Sequence, residues 1–153
     1  MSWIRSKLES FAERIAGHES GETWTYRDFL NSMERSSAEL PTGTQKIIEV
    51  SCEKTMKGLA RLLAVHDKGH IAFPLISELP PSECDRMRKQ VAQSELYKKL
   101  RNSGLILFSS GTSDKPKGML HDFEVLIDRY KNIRSRDDCC LLLLLIDHIG
   151  GLD

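Results

Sequence analysis

Apolar side chains recur at Ile4, Leu8, Phe11 and Ile15, the spacing of one helix face. The chain is therefore expected to open with an amphipathic helix that Gly17 caps. The period changes to two in ETWTY, where Trp24 and Tyr26 share one side of a predicted strand. Thr25 and Asp28 then fit a capping box, in which each side chain takes an amide left unpaired at a helix start. Phe29, Leu30, Met33 and Leu40 form the inner face of that helix, and Pro41 helps to end it. KIIEVS reads as a strand. Met56, Leu59, Ala60 and Leu63 mark a second core-facing helix, closed by Gly69. The next strand covers 71–76, with Pro74 pointing to an edge or bulge position. Pro80 and Pro81 introduce a helix whose inner side carries Cys84, Met87 and Val91. Residues 96–100 show no decisive period. LILF (105–108) is a short apolar strand, Ser109–Gly118 a polar loop, and Phe123, Leu126, Ile127 and Tyr130 a further helix. Cys139–Ile146 is apolar throughout and reads as a buried strand.

Strands alternating with helices predict one α/β domain over residues 1–153, a layered and largely parallel sheet flanked by helices. Composition changes this picture little. Hydrophobic residues make up 40% and charged residues 29%, the proportions of an ordinary globular chain. Lys plus Arg equals Asp plus Glu at 22 each, so no global field draws nucleic acid or an anionic membrane. KNIRSRDD (131–138) mixes both signs and reads as a solvated connection. The apolar run at 139–146 falls far short of the roughly 20 residues that span a bilayer. The first residues, with Glu9 and Glu13, lack the apolar stretch of a secretory signal. Cys52, Cys84, Cys139 and Cys140 form no C-x-x-C pair and have no histidines at zinc spacing. They read as reduced thiols of a cytoplasmic protein.

Chemistry concentrates in SSGTSDKPKG. Ser109, Ser110, Thr112 and Ser113 offer hydroxyls, and Gly111 and Gly118 let backbone amides turn inward. Lys115 and Lys117 add positive charge. A donor-rich loop at a strand end suits a polyphosphate. The spacing excludes the P-loop G-x-x-x-x-G-K-[ST], because Lys117 precedes the second glycine. A solvated surface loop of the same composition is the competing reading.

The order of residues resembles the signature of the adenylate-forming enzymes, which include acyl- and aryl-CoA synthetases. That signature is written [ST]-[ST]-G-[ST]-[ST]-G-x-P-K-G. The chain matches it at Ser109, Ser110, Gly111, Thr112, Ser113, Pro116, Lys117 and Gly118, and departs at Asp114, where the family has glycine. ETWTYRDF resembles an early family segment at Thr25, Tyr26, Asp28 and Phe29. AVHDKGHIAFPL resembles another at Gly69, Pro74 and Leu75, and LIDHIGGLD a third at His148, Gly150 and Gly151.

The resemblance implies an incomplete N-terminal part of the large domain of such an enzyme. It implies ATP and Mg²⁺ as cofactors, with a carboxylic acid and a CoA or carrier-protein thiol as partners. The phosphate loop would be Ser109, Ser110, Gly111, Thr112, Ser113 and Lys117; His148 and Gly150 would border the acyl pocket. No catalytic or metal-ligating residue falls in this portion. Family segments for adenine, ribose and the C-terminal lysine domain do not occur in 1–153, so the chain alone is expected to be inactive and to self-associate through its incomplete sheet. Asp114 motivates the alternative of a non-catalytic scaffold or interaction module with the same fold. His66, His70 and Cys52 read as structural or merely exposed, and His121 receives no role.

Overall fold

The computed structural model describes residues 3–51, 55–75, 80–109 and 117–133. Its elements run α1 (Trp3–Glu9), β1 (Ile15–Glu19), β2 (Glu22–Thr25), α2 (Tyr26–Glu39), β3 (Ile47–Ser51) and α3 (Met56–Asp67). They continue with β4 (Ile71–Leu75), α4 (Pro81–Ala92), α5 (Glu95–Lys99), β5 (Gly104–Ser109), β6 (Lys117–Asp122) and α6 (Phe123–Asp128).

Strands β3, β4, β5 and β6 form one sheet in that order, and β1 pairs with β2 in a separate hairpin. The pairs β3–β4 and β4–β5 are parallel and β5–β6 is antiparallel. The alternation of side chains along β5 divides the core in two. Leu105 and Leu107 join Val50, Ala72, Leu62, Val65 and Phe123 on the face covered by α3 and α6. Ile106 and Phe108 join Ile71, Phe73, Cys84, Met87 and Val91 on the face covered by α4. With helices on both faces, β4 is buried almost throughout, which is why its sequence is a run rather than an alternation. Burying a side chain such as Phe73 contributes about 1.5–3 kcal/mol. Helix α2 adds an outer layer, packing Phe29, Leu30 and Met33 on Ala60 of α3.

The capping box forms as expected. Asp28 N–H donates to Thr25 Oγ1 at 3.1 Å, and Thr25 N–H donates to Asp28 Oδ2 at 2.9 Å. Those bonds to Thr25 hold the Asp28 carboxyl below its usual range. Pro81 opens α4 at its first turn, and Gly69 takes φ +73 after α3. Residues 95–99, left open by periodicity, are a short helix started by Ser94.

Two expectations are corrected. The first helix stops at Glu9 rather than reaching Ile15, and Gly17 lies in β1 rather than in a cap. The backbone there is captured from elsewhere: Tyr26 N–H donates to the Arg14 carbonyl and Arg27 N–H to that of Ala12. Tyr26 accordingly opens α2 instead of ending a strand. Pro74, by contrast, lies in an inner strand but, among the described residues, at a position paired on one side only, the edge-like setting expected of it. Its register partner is Val50 in β3, and β4 meets β5 only at Ile71 and Ala72, short of the proline. The polar loop is shorter than expected: it ends before Lys117, because Lys117 and Gly118 already belong to β6.

Candidate functional site

Because β3, β4 and β5 are parallel, the chain leaves them at Ser51, Leu75 and Ser109 on one edge of the sheet, the carboxyl edge. Open α/β sheets bind ligands outside that edge. Strand β6 runs back from the same place. Ser109 is the register partner of Lys117, and Phe108 of Gly118. The polar stretch 110–116 therefore leaves from one residue and returns to its cross-strand neighbour.

The base of this hairpin is tightly seated. A Cβ on Gly118 would lie 3.2 Å from Ile106 Cγ2 and 3.5 Å from Met87 Sδ, so the absent side chain lets β6 rest against α4. Met87 is fully buried, and the Phe108 ring lies 5.6 Å from that of Phe73 one strand away. Lys117 is exposed. The arrangement puts a cation at a fixed point of the carboxyl edge, beside the residue where the hydroxyl-rich run begins. Of the predicted site residues, Ser109 and Lys117 are brought together as backbone partners. Ser110, Gly111, Thr112, Ser113, His148 and Gly150 lie outside the described residues, as do Asp114, Cys52, Cys139 and Cys140.

A second polar cluster sits at the opposite edge and went unread in the sequence. His66 of α3 is 6% exposed. Its Nδ1 is hydrogen-bonded to Ser103 Oγ, and its ring meets Phe123 edge-on at 4.6 Å. Glu124 Oε1 lies 3.6 Å from Nε2, beyond hydrogen-bonding distance. Burial pushes the imidazole down to about 4, against the weaker pull of Asp67 and Asp122. His70 is also buried: Nε2 is 2.8 Å from the Pro41 carbonyl, and Nδ1 accepts from Lys46 N–H. The two histidines are thus structural rather than exposed. No sequence signal pointed to the first, since its partners lie far along the chain. With Ser103 itself 3% exposed, the cluster is a tie between α3, β5 and α6 and not a substrate site. Gln45 braces the same edge by donating to the carbonyls of Gly69 and Asn102.

Among the described residues no group of three His, Cys, Asp or Glu side chains could hold a metal. None of their helices is long and apolar enough to cross a membrane. Cys84 is a buried free thiol, its pKa pushed up by burial, which disfavours the thiolate.

No family model matches the chain, and no curated protein does either. Solved structures do. O-succinylbenzoate coenzyme A synthetase from Bacillus subtilis, in complex with AMP, superposes with a TM-score of 0.66 at 17% identity, over 99% of this chain and 51% of that one. The N-terminal domain of FACL13 from Mycobacterium tuberculosis gives 0.68 at 14%, over 98% and 52%. The N-terminal subdomain of Klebsiella oxytoca NpsA, in complex with 3-hydroxyanthranilyl-AMSN, gives 0.68 at 18%, over 95% and 46%.

The chain has the fold of the N-terminal part of adenylate-forming enzymes. It spans about half the length of the solved chains it matches. In this chain residues 110–116 connect β5 to β6, whose ends Ser109 and Lys117 pair at the carboxyl edge described above.

Proposed function

We propose that the chain is the N-terminal portion of an ATP-dependent ligase that joins a carboxylic acid to CoA or to a carrier-protein thiol through an acyl-adenylate. The observation that carries this reading is the pairing of Ser109 with Lys117 across β5 and β6. It brings the two ends of the signature-like run together at the edge where such sheets bind ligands. The adenylate-forming fold supports the same reading.

In this proposal the hydroxyls and amides of Ser109, Ser110, Gly111, Thr112 and Ser113 donate to the β- and γ-phosphates of ATP. Lys117 supplies charge that stabilises the departing pyrophosphate. The chemistry of the donor set fits a polyphosphate, since it is rich in N–H and O–H donors with a lysine at its end. Mg²⁺, when bound, would supply positive charge that offsets the phosphates' own. Such an ion takes most of its ligands from phosphates and water rather than from a protein cage. His148 and Gly150 would border the acyl pocket. The remaining catalytic parts belong to other segments, so residues 1–153 alone are proposed to bind but not to turn over, in a cytoplasmic setting.

The test is carboxylate-dependent ATP–pyrophosphate exchange by a protein that carries this chain followed by the missing segments, assayed over a panel of acids. Exchange with at least one acid, lost in Lys117→Ala, is expected. The second reading, a scaffold that has kept the fold and lost the chemistry, is favoured by Asp114, a carboxylate where the resembled signature has glycine. Calorimetry with ATP·Mg²⁺ separates the two, because a scaffold gives no heat of binding.

A further inference from the structure

The end of β6 that carries Lys117 is held from few directions. Strand β5 pairs with one of its edges, and among the described residues no strand pairs with the other. Side chains alternate along β6, so Gly118 and Leu120 face α4 while Lys117 and Met119 turn to the other face, where both are exposed. Leu120 packs into the core on the α4 side. At Gly118, the residue next to Lys117, the strand has no side chain to contribute. Support on that face comes instead from α4: a Cβ on Gly118 would lie 3.5 Å from Met87 Sδ and 3.6 Å from Met87 Cβ.

Helix α4 is a firm base for that contact. Cys84, Met87 and Val91 are buried in one cluster with Ile106 and Phe108, and Arg88 pairs with Glu49 of β3 at 2.6 Å. Met87 is wholly buried, and a cavity opened in a close-packed core draws in whichever neighbour moves most easily. That neighbour is the Gly118 backbone, which no side chain locks and which lies near the end of an edge strand.

We infer that Met87 is a positioning residue: its thioether holds β6 off α4 and thereby fixes where Lys117 stands beside Ser109. The use of that placement for phosphate binding rests on the proposed ligase function; the placement itself does not.

Hydrogen exchange of the β6 amides reads the placement, and calorimetry with ATP·Mg²⁺ reads its consequence, both at a temperature where every variant stays folded. Met33→Ala is the control, because Met33 is equally buried but sits in the separate cluster between α2 and α3. Met87→Ala should speed exchange in residues 117–122 and weaken ATP·Mg²⁺ binding about tenfold or more, as small misplacements of a positioned group do. Met87→Leu, of similar volume, should restore both, and Met33→Ala should change neither. In a Lys117→Ala background Met87→Ala should weaken binding no further, whereas a merely structural loss would add to it. Exchange in β6 that Met87→Ala leaves unaltered, or that Met33→Ala alters equally, overturns the inference. So does additive weakening in the double variant. A wild type that gives no heat with ATP·Mg²⁺ overturns the ligase reading, and the exchange pattern then decides the inference alone.

Discussion

Acid should destabilise this fold through His66 as pH falls from 6.5 toward 4. The folded imidazole is pushed down to about 4 by burial, against an ordinary value of 6.5. Between those values the unfolded chain binds a proton that the folded chain refuses, so stability falls as pH drops through 6.5 and the loss levels off below 4. Linkage gives a loss of roughly 1 kcal/mol at pH 6, about 2 at pH 5 and about 3 at pH 4. That is a large share of the ~5–15 kcal/mol that holds a domain together. The opposing influences are the carboxylates of Asp67, Asp122 and Glu124, of which Glu124 Oε1 comes nearest at 3.6 Å. Arg5 already engages Asp67 at 2.9 Å, and Asp122 accepts from the amides of Glu124 and Val125 at the start of α6, so neither is free to turn fully toward the ring. The assay is urea unfolding of the wild type and of His66→Gln at several pH values from 7.5 to 4. The other carboxylates titrate in both proteins, so the difference between the two curves isolates His66. The difference should narrow on acidification, as the wild type loses stability that the glutamine variant has no proton to lose. A difference that widens toward low pH would refute the reasoning, because it would mean that Glu124 and its neighbours outweigh burial and hold the ring protonated.

Packing and capping yield further tests. Gly104→Ala places a Cβ 2.9 Å from both Leu100 Cδ2 and Leu120 Cδ1 and 3.0 Å from Ile71 Cγ1. It should cost about 1–3 kcal/mol in urea unfolding. Thr25→Ala removes the hydroxyl that caps α2 and should cost about 1 kcal/mol, with Thr25→Ser recovering most of it. Met87→Ala empties a fully buried site on the α4 face and should cost about 2–5 kcal/mol, read in the same assay. Lys117→Ala touches an exposed side chain at the start of β6. It should leave the melting temperature unchanged while weakening ATP·Mg²⁺ binding at least tenfold by calorimetry.

What could be read from the residues was whatever a short window decides. The capping box at Thr25 and Asp28, the proline at the start of α4 and the apolar run of Leu105 to Phe108 each specify their element within a few positions, and each is found where expected. The failures share a different cause. Ile15 sits at helical spacing from Phe11, yet its backbone pairs with Thr25, and the turn between them uses Ser20 and Gly21, both with positive φ. That Ser-Gly pair was a usable hairpin signal, overridden by a helical pattern that no buried residue of α1 sustains. Strand β6 offered less. Its residues show one buried position at Gly118, an exposed Met119 and partial burial from Leu120 on, so no period of its own marks it as a strand and its pairing with β5 defines it.

The site divides along the same line. The hydroxyls, glycines and lysines of residues 109–118 are contiguous, so the proposal that they hold phosphate rests on their order alone. Their placement was not legible in that order. It depends on β6 being antiparallel, which brings Lys117 beside Ser109, and on the missing side chain at Gly118, which lets that strand close against Met87 and Ile106. The cluster at the other edge is the converse case: His66 and Ser103 are each unremarkable in sequence, and only the fold makes them partners. Strand β5 links the two, spanning about 17 Å from Gly104 to Ser109 at the usual rise of an extended chain. One end of that strand is locked by a buried imidazole and the other carries the polar turn. Stability and the proposed chemistry are thereby anchored to opposite ends of the same element, so substitutions at the amino edge should move unfolding far more than ligand binding, and those at Lys117 the reverse.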